Sequence, residues 1–168
     1  MKKILITGAH SYIGASVADY LARWPEKYAV DTISVRGEKW KQADFSGYDA
    51  VFHVAGIAHA DVGHVSQERK AEYYAVNRDL TLAVAEKAKA DGVGQFLYMS
   101  SAIVYGDSAP IGKRKVITKD TPVAPANFYG DSKVQAEKGL KKLESDAFRV
   151  AVLRPPMIYG PGSKGNYP

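Results

Sequence analysis

Apolar residues along the chain switch repeatedly between two periods. Residues 3–7 (Lys3-Ile4-Leu5-Ile6-Thr7) form a short β-branched run that stops at Gly8, as a buried strand does when it meets a turn. Over 12–22, Ile13, Val17 and Leu21 recur at helical spacing, and Pro25 closes the segment. Residues 28–35, 50–54, 95–99 and 148–153 read as further strands. Residues 66–90 predict one long helix, with Tyr73, Val76, Leu80, Val84 and Ala88 on a single stripe and Gly92 beyond it. A second long helix is predicted over 128–143. The polar stretch 39–49 leaves room for little more than a stub of strand. Residues 106–127, rich in Pro, Gly and Lys, read as a long loop, and a loop of that length is usually functional or disordered. Pro155-Pro156 and Gly160-Pro161-Gly162 break regular structure near the end. Strands alternating with helices imply one α/β domain on a doubly wound parallel sheet.

Composition narrows the setting. With 168 residues and 46% hydrophobic content, the chain suits one domain with a real core. It has no cysteine, which excludes a disulfide scaffold and thiolate metal sites and fits a reducing cytoplasm. Lys2 and Lys3 resemble the start of a signal peptide, but the apolar run behind them ends too soon for a secretory core. No stretch of 18 apolar residues is present, so no membrane span is expected. The net charge is +5. Its basic residues are scattered, and the one tight run, Lys113-Arg114-Lys115, lacks adjacent aromatics for base stacking. That reads as a solvated surface and not as a nucleic-acid partner. The positive field still suits an anionic ligand such as a nucleotide diphosphate.

Three constellations carry candidate chemistry. The first is Thr7-Gly8-Ala9-His10-Ser11-Tyr12-Ile13-Gly14, at a strand–turn–helix junction. Glycines there let a pyrophosphate approach the backbone, and the helix N-terminus adds free N–H groups and partial positive charge. An ordinary βα turn is the plainer reading. About 20 residues on, where dinucleotide folds carry a ribose-binding acid, the run is Ile33-Ser34-Val35-Arg36; Asp31 comes too early, inside the strand. Ser34 with Arg36 suits a 2′-phosphate, unless Arg36 is simply a surface arginine. Asp44 is the next acid in reach of an adenosine, though it also reads as a solvated loop carboxylate.

The second constellation is Met99-Ser100-Ser101-Ala102-Ile103-Val104-Tyr105-Gly106, just past a strand end, where such sheets line their ligand crevice. The third is Tyr129-Gly-Asp-Ser-Lys133, which places a phenol and an ammonium on one helix face. Positive charge favours the phenolate, so Lys133 is expected to lower the pKa of Tyr129 and make it an acid/base group. Among the histidines, His53 is expected to pack near a cofactor, with His59 and His64 solvated. Their spacing fits no helical metal site, and no metal is expected. Asn77, mid-helix among apolar residues, is expected to anchor backbone or a water.

Taken together these residues resemble the extended short-chain dehydrogenase/reductase family, and within it the NAD-dependent sugar-nucleotide epimerase/dehydratases of UDP-glucose 4-epimerase type. Agreement comes in order from Thr7 to Gly14, Phe52-His53-Val54-Ala55-Gly56, Ser100 to Gly106, Tyr129 with Lys133, and Leu153-Arg154-Pro155-Pro156-Met157-Ile158-Tyr159-Gly160-Pro161-Gly162. The resemblance implies a Rossmann-like fold and Ser101, Tyr129 and Lys133 as the catalytic set. Cofactor contacts would come from Gly8, Ser11, Tyr12, Ile13, Gly14, Ser34, Arg36, Asp44, His53, Ala55, Gly56, Ser100, Tyr129, Lys133 and Pro156. NAD is the implied cofactor, with NADP left open by Ser34 and Arg36. A nucleotide sugar is the implied substrate, and a homo-oligomer in the cytoplasm the implied form, with a role in surface-polysaccharide synthesis. Ser11 stands where the family pattern has glycine, and since serine tolerates positive φ poorly, a tighter or tilted turn is expected. Family members continue well beyond 168 residues into a small C-terminal substrate domain, so the chain reads as truncated. Self-association through the apolar surface left uncovered is the corresponding expectation.

Overall fold

In the computed structural model the described residues are 1–8, 10–58, 65–107, 109–110 and 112–163. His59 and His64 lie outside them. Five strands form one wholly parallel sheet: β1 (Lys2–Thr7), β2 (Tyr28–Ile33), β3 (Ala50–His53), β4 (Gln95–Met99) and β5 (Arg149–Leu153), in the order β2-β1-β3-β4-β5. After β2 the chain returns past β1 to build β3 on its other side. Right-handed crossovers therefore put helix α1 (Tyr12–Leu21) on one face, and the helices that follow β3 and β4 on the other. The reversal opens a crevice at the carboxyl ends of β1 and β3, the switch point of a doubly wound sheet. The expected Rossmann-like α/β class is what the chain adopts.

Pairing registers explain the burial. Ile4–Thr7 of β1 pair with Ala50–His53 of β3 on one side, and Lys2–Thr7 with Tyr28–Ile33 on the other. Leu5, Ile6 and Thr7 are buried accordingly. The core continues through Val51, Phe96 and Tyr98 to Val84, Ala85, Ala88, Ala136 and Leu140 on the covering helices, and to Phe148 just before β5. No described helix is long and apolar enough to cross a membrane.

Two elements differ from the sequence reading. The stub of strand expected within 39–49 is a 3-10 turn, Lys39–Gln42. Its Trp40 and the following Phe45 are buried in the core, and the Phe45 amide donates to Asp91 at 2.9 Å. Two large rings to bury and an outside acceptor outweigh any weak strand preference there. The long helix over 66–90 is continuous but not uniform. It runs as α2 (Gln67–Tyr74), a π turn (Ala75–Leu80) and α3 (Thr81–Ala90). A π turn widens the helix by one residue, and such turns gather at functional sites. Helix α4 (Phe128–Leu143) matches its predicted bounds, with Asn127 as N-cap accepting from the Gly130 amide at 2.9 Å.

Candidate active site

The crevice is assembled from the ends of three strands and one helix face. At the end of β1, Gly8 has φ +98°, and a Cβ placed on it would lie 3.0 Å from the Ala55 nitrogen. A side chain is excluded twice there, by backbone conformation and by contact. Gly14 is buried, and its Cβ would fall 2.7 Å from the Ser11 hydroxyl oxygen. Ser11 itself has φ −81° and ψ 142° and caps α1, accepting from the Gly14 amide at 2.9 Å. The expectation of a strained turn at Ser11 is therefore corrected. The position asks for no positive φ, and serine is among the preferred N-caps. Tyr12 and Ile13 follow in the first helical turn, half-buried, at the anion-facing end of α1.

At the end of β3 the chain runs through Val54, Ala55 and Gly56 to Ile57. Asn77, fully buried in the π turn, clamps this segment. Its side-chain oxygen accepts from the Ile57 amide at 2.8 Å, and its nitrogen donates to the Ile57 carbonyl at 3.0 Å and to the Ser132 hydroxyl at 3.1 Å. Anchoring of backbone is the role the sequence suggested for it. A Cβ on Gly56 would sit 3.0 Å from that Asn77 oxygen and 3.2 Å from Lys133 Nζ, so glycine is what lets the lysine reach this segment.

His53 is packed beneath the crevice. Its side chain is fully buried, stacked on Phe96 and Tyr98, and both ring nitrogens are engaged, with Thr7 Oγ1 at 2.7 Å and Thr81 Oγ1 at 3.1 Å. The Thr81 hydroxyl donates to the Asn77 carbonyl at 2.9 Å. It therefore accepts from His53 Nε2, and Nδ1 accepts from Thr7. Burial, with the Lys133 charge adding to it, pushes the ring's pKa down to about 3. The side chain is a neutral strut beneath the crevice and has no atom left for a ligand.

The end of β4 carries two serines. Ser100 was expected at the cofactor, but its side chain is buried and donates to Glu137 Oε1 at 2.5 Å. Ser101 is half-buried, and its hydroxyl accepts from the Ile103 amide at 3.3 Å. Burial raises the Tyr129 pKa above the ordinary phenol value, with Ser101 offsetting part of the rise. This corrects the expectation that Lys133 would lower it. Lys133 is 6% exposed, and its ammonium donates to the Met99 carbonyl at 3.0 Å. Burial brings its own pKa down to about 8, with Glu137 opposing. Tyr73 meets the Tyr129 ring edge-on at 6.0 Å between centroids and fixes its plane. Burial, more than any neighbouring charge, sets the electrostatics of Tyr129 and Lys133.

The remaining candidates stand around the rim. Ser34 and Arg36 are exposed at the end of β2, where the Arg36 amide donates to the Ser34 hydroxyl at 3.4 Å. Asp44 is exposed and accepts from the Ser46 amide at 2.8 Å in its own turn. Pro156 is exposed just past β5. Among the described residues no group of three or more His, Asp or Glu side chains is placed to hold a metal.

Residues 4–168 match the family model described as the NAD dependent epimerase/dehydratase family. The chain belongs to that family. It is 31% identical over 186 residues to the UDP-glucose 4-epimerase of Vibrio cholerae, a match covering 99% of this chain and 55% of the relative. Among solved structures, MoeE5 in complex with UDP-glucose and NAD superposes with a TM-score of 0.77 at 25% identity, over 96% of this chain and 56% of that one. RMD from Pseudomonas aeruginosa, complexed with NADPH, gives 0.75 at 28% identity over 98% and 56%. The chain spans about half the length of the relatives it matches.

For this epimerase/dehydratase chain, sequence reasoning missed a second cluster behind Tyr129 and Lys133. Glu137 on α4 receives both Nε and Nη2 of Arg154, at 3.0 and 2.5 Å, as well as the Ser100 hydroxyl. Arg154 also donates to the Tyr105 hydroxyl at 2.6 Å. A signal was available: Glu137 lies four residues beyond Lys133, hence on the same face of the helix.

Proposed function

We propose that this chain is the dinucleotide-binding and catalytic part of a sugar-nucleotide epimerase of UDP-hexose 4-epimerase type. The observation that carries the reading is the convergence of Ser101, Tyr129 and Lys133 on the crevice opened by the Gly8 turn. The fit to a nicotinamide dinucleotide rests on that turn. Gly8 and Gly14 let the turn after β1, the Val54–Ala55 segment and the start of α1 come into close contact, which aims the first turn of α1 at the crevice. Likeness to the Vibrio cholerae epimerase and to the MoeE5 complex supports the same assignment.

In this reading Gly8, Ser11, Tyr12, Ile13 and Gly14 would hold the pyrophosphate, and Ala55 and Gly56 the floor beside it. When bound, the nicotinamide would supply a reversible hydride acceptor. Tyr129 Oη takes the proton from a sugar hydroxyl and returns it at the end of the cycle. Ser101 orients the phenol and the hydroxyl on one line. In the unliganded chain the buried phenol is protonated, the form that gives a proton to a ketone oxygen. Lys133, one turn further along α4 and buried beside Gly56, would hold the cofactor ribose next to the phenol.

A one-way reductase or dehydratase would use the same residues, and the exposed Ser34–Arg36 pair favours NADP in that case. The experiment that separates the readings gives the whole protein UDP-glucose with NAD and follows the sugar by NMR. Appearance of the C4 epimer with no accumulation of reduced nicotinamide is expected. Net oxidation or reduction, or a deoxy-keto product, would replace epimerisation by the second reading.

A further inference from the structure

Glu137 is almost buried, at 8% exposure, yet it gathers groups from three other places in the fold. The Ser100 hydroxyl comes from the end of β4, the Arg154 guanidinium from the end of β5, and Tyr105, through Arg154, from the 3-10 turn Ala102–Tyr105. Backbone bonds tighten the same seam: the Ser100 amide donates to the Leu153 carbonyl at 2.8 Å and the Ala102 amide to the Pro155 carbonyl at 2.9 Å. Ser101 is held between those two amides. The forked Arg154 contact is the strong, directional kind of ion pair.

The surroundings of Lys133 give this node a second consequence. From β4 come the Met99 carbonyl and the face of Tyr98, with Nζ 4.9 Å from the ring centroid. From β3 comes His53, which is neutral, and from the π turn Asn77, an amide. On α4 itself the neighbours are the neutral phenol of Tyr129 and the carboxylate of Glu137. Of these groups Glu137 alone is negative.

We propose that Glu137 is a positioning residue for the catalytic pair: it holds the Ser100–Ser101 segment against α4 and supplies the negative charge that Lys133 faces. Arg154 fixes the carboxylate in the orientation that serves both. The role rests on the proposed assignment of Tyr129 and Lys133, but its test needs no turnover. Lysine labelled at Cε in this chain reports the Lys133 titration by NMR, the resonance being assigned with Lys133→Met. A midpoint near 8 is expected for the unaltered chain.

Glu137→Gln keeps the shape and one acceptor oxygen, loses the second acceptor facing Arg154, and removes the charge. It should move the midpoint down by a unit or more. Loosened packing would do the reverse, since water entering the site returns a lysine toward its ordinary 10.5. Glu137→Asp keeps the charge and should hold the midpoint within half a unit. If the single change leaves Arg154 unpaired and the chain unfolded, Glu137→Gln with Arg154→Gln removes both charges and should still show a fall. An unmoved or raised midpoint in folded Glu137→Gln, or in the double variant, overturns the proposal. Absence of epimerase activity with a normal titration would instead count against the function assigned above and leave this role standing.

Discussion

Tyr129→Phe in the whole protein is expected to lower turnover by roughly 10²- to 10⁴-fold, the range a positioned acid/base group supplies, with cofactor affinity unchanged. The change removes one oxygen and little else. The ring keeps its edge contact with Tyr73, and the helix keeps its Asn127 cap and the close approach at Gly130. The Ser101 hydroxyl is half-buried and keeps the Ile103 amide, from which it accepts at 3.3 Å. Fold and dinucleotide site should therefore survive, and the loss should fall on the chemical step. Paired measurement of kcat and cofactor affinity checks this. Near-normal turnover in the variant would remove Tyr129 from the mechanism, and equal losses in both quantities would make it a binding residue.

Acid should destabilise the chain well before its carboxylates titrate, through His53. The native ring has its pKa pushed down to about 3 from an ordinary 6.5. Between those values the unfolded chain takes up a proton that the folded chain refuses. Stability is then fully present above about pH 6.5 and is lost as pH falls toward 3, at up to about 1.4 kcal/mol per pH unit. From pH 6.5 to 5 the expected loss is about 2 kcal/mol. Protonation would also break the Thr7–His53–Thr81–Asn77 chain, because Nδ1 accepts in it. Urea unfolding at several pH values should show the slope, and His53→Gln should flatten it while lowering stability at neutral pH. An equal slope in wild type and variant would mean that His53 does not govern the acid limit.

Much of this architecture was legible because period and punctuation agree in the sequence. Residues 3–7 and 95–99 are short apolar runs bounded by turn residues, and 128–143 carries its cap signal in Asn127. Lys39–Gln42 was not legible in the same way. Trp40 and Phe45 match neither a strand nor a helix period, and their burial depends on Asp91, 46 residues from Phe45. The π turn was hidden too. A single extra residue in a 24-residue stripe leaves the apolar pattern intact, and only the inward position of Asn77 betrays it.

At the site, the sequence placed Ser101, Tyr129 and Lys133 together by order and spacing. It misjudged the sign of the phenol shift because spacing reports a neighbouring charge and says nothing about desolvation. Burial dominates at Tyr129, Lys133 and His53 alike. Ser11 was misjudged for a related reason. Matching it to a glycine position assumed a glycine conformation, whereas the residue sits in extended backbone and caps α1. Ser100 and Glu137 are 37 residues apart, and no local pattern announces their bond.

The central claim is that the Gly8 turn builds a dinucleotide site in this chain, and calorimetric titration of the chain with NAD and with NADP tests it most directly. One saturable site is predicted, lost in Gly8→Val, where a side chain would meet Ala55 and force an unfavourable φ. Equal weak heats for wild type and Gly8→Val, with either nucleotide, would contradict the account.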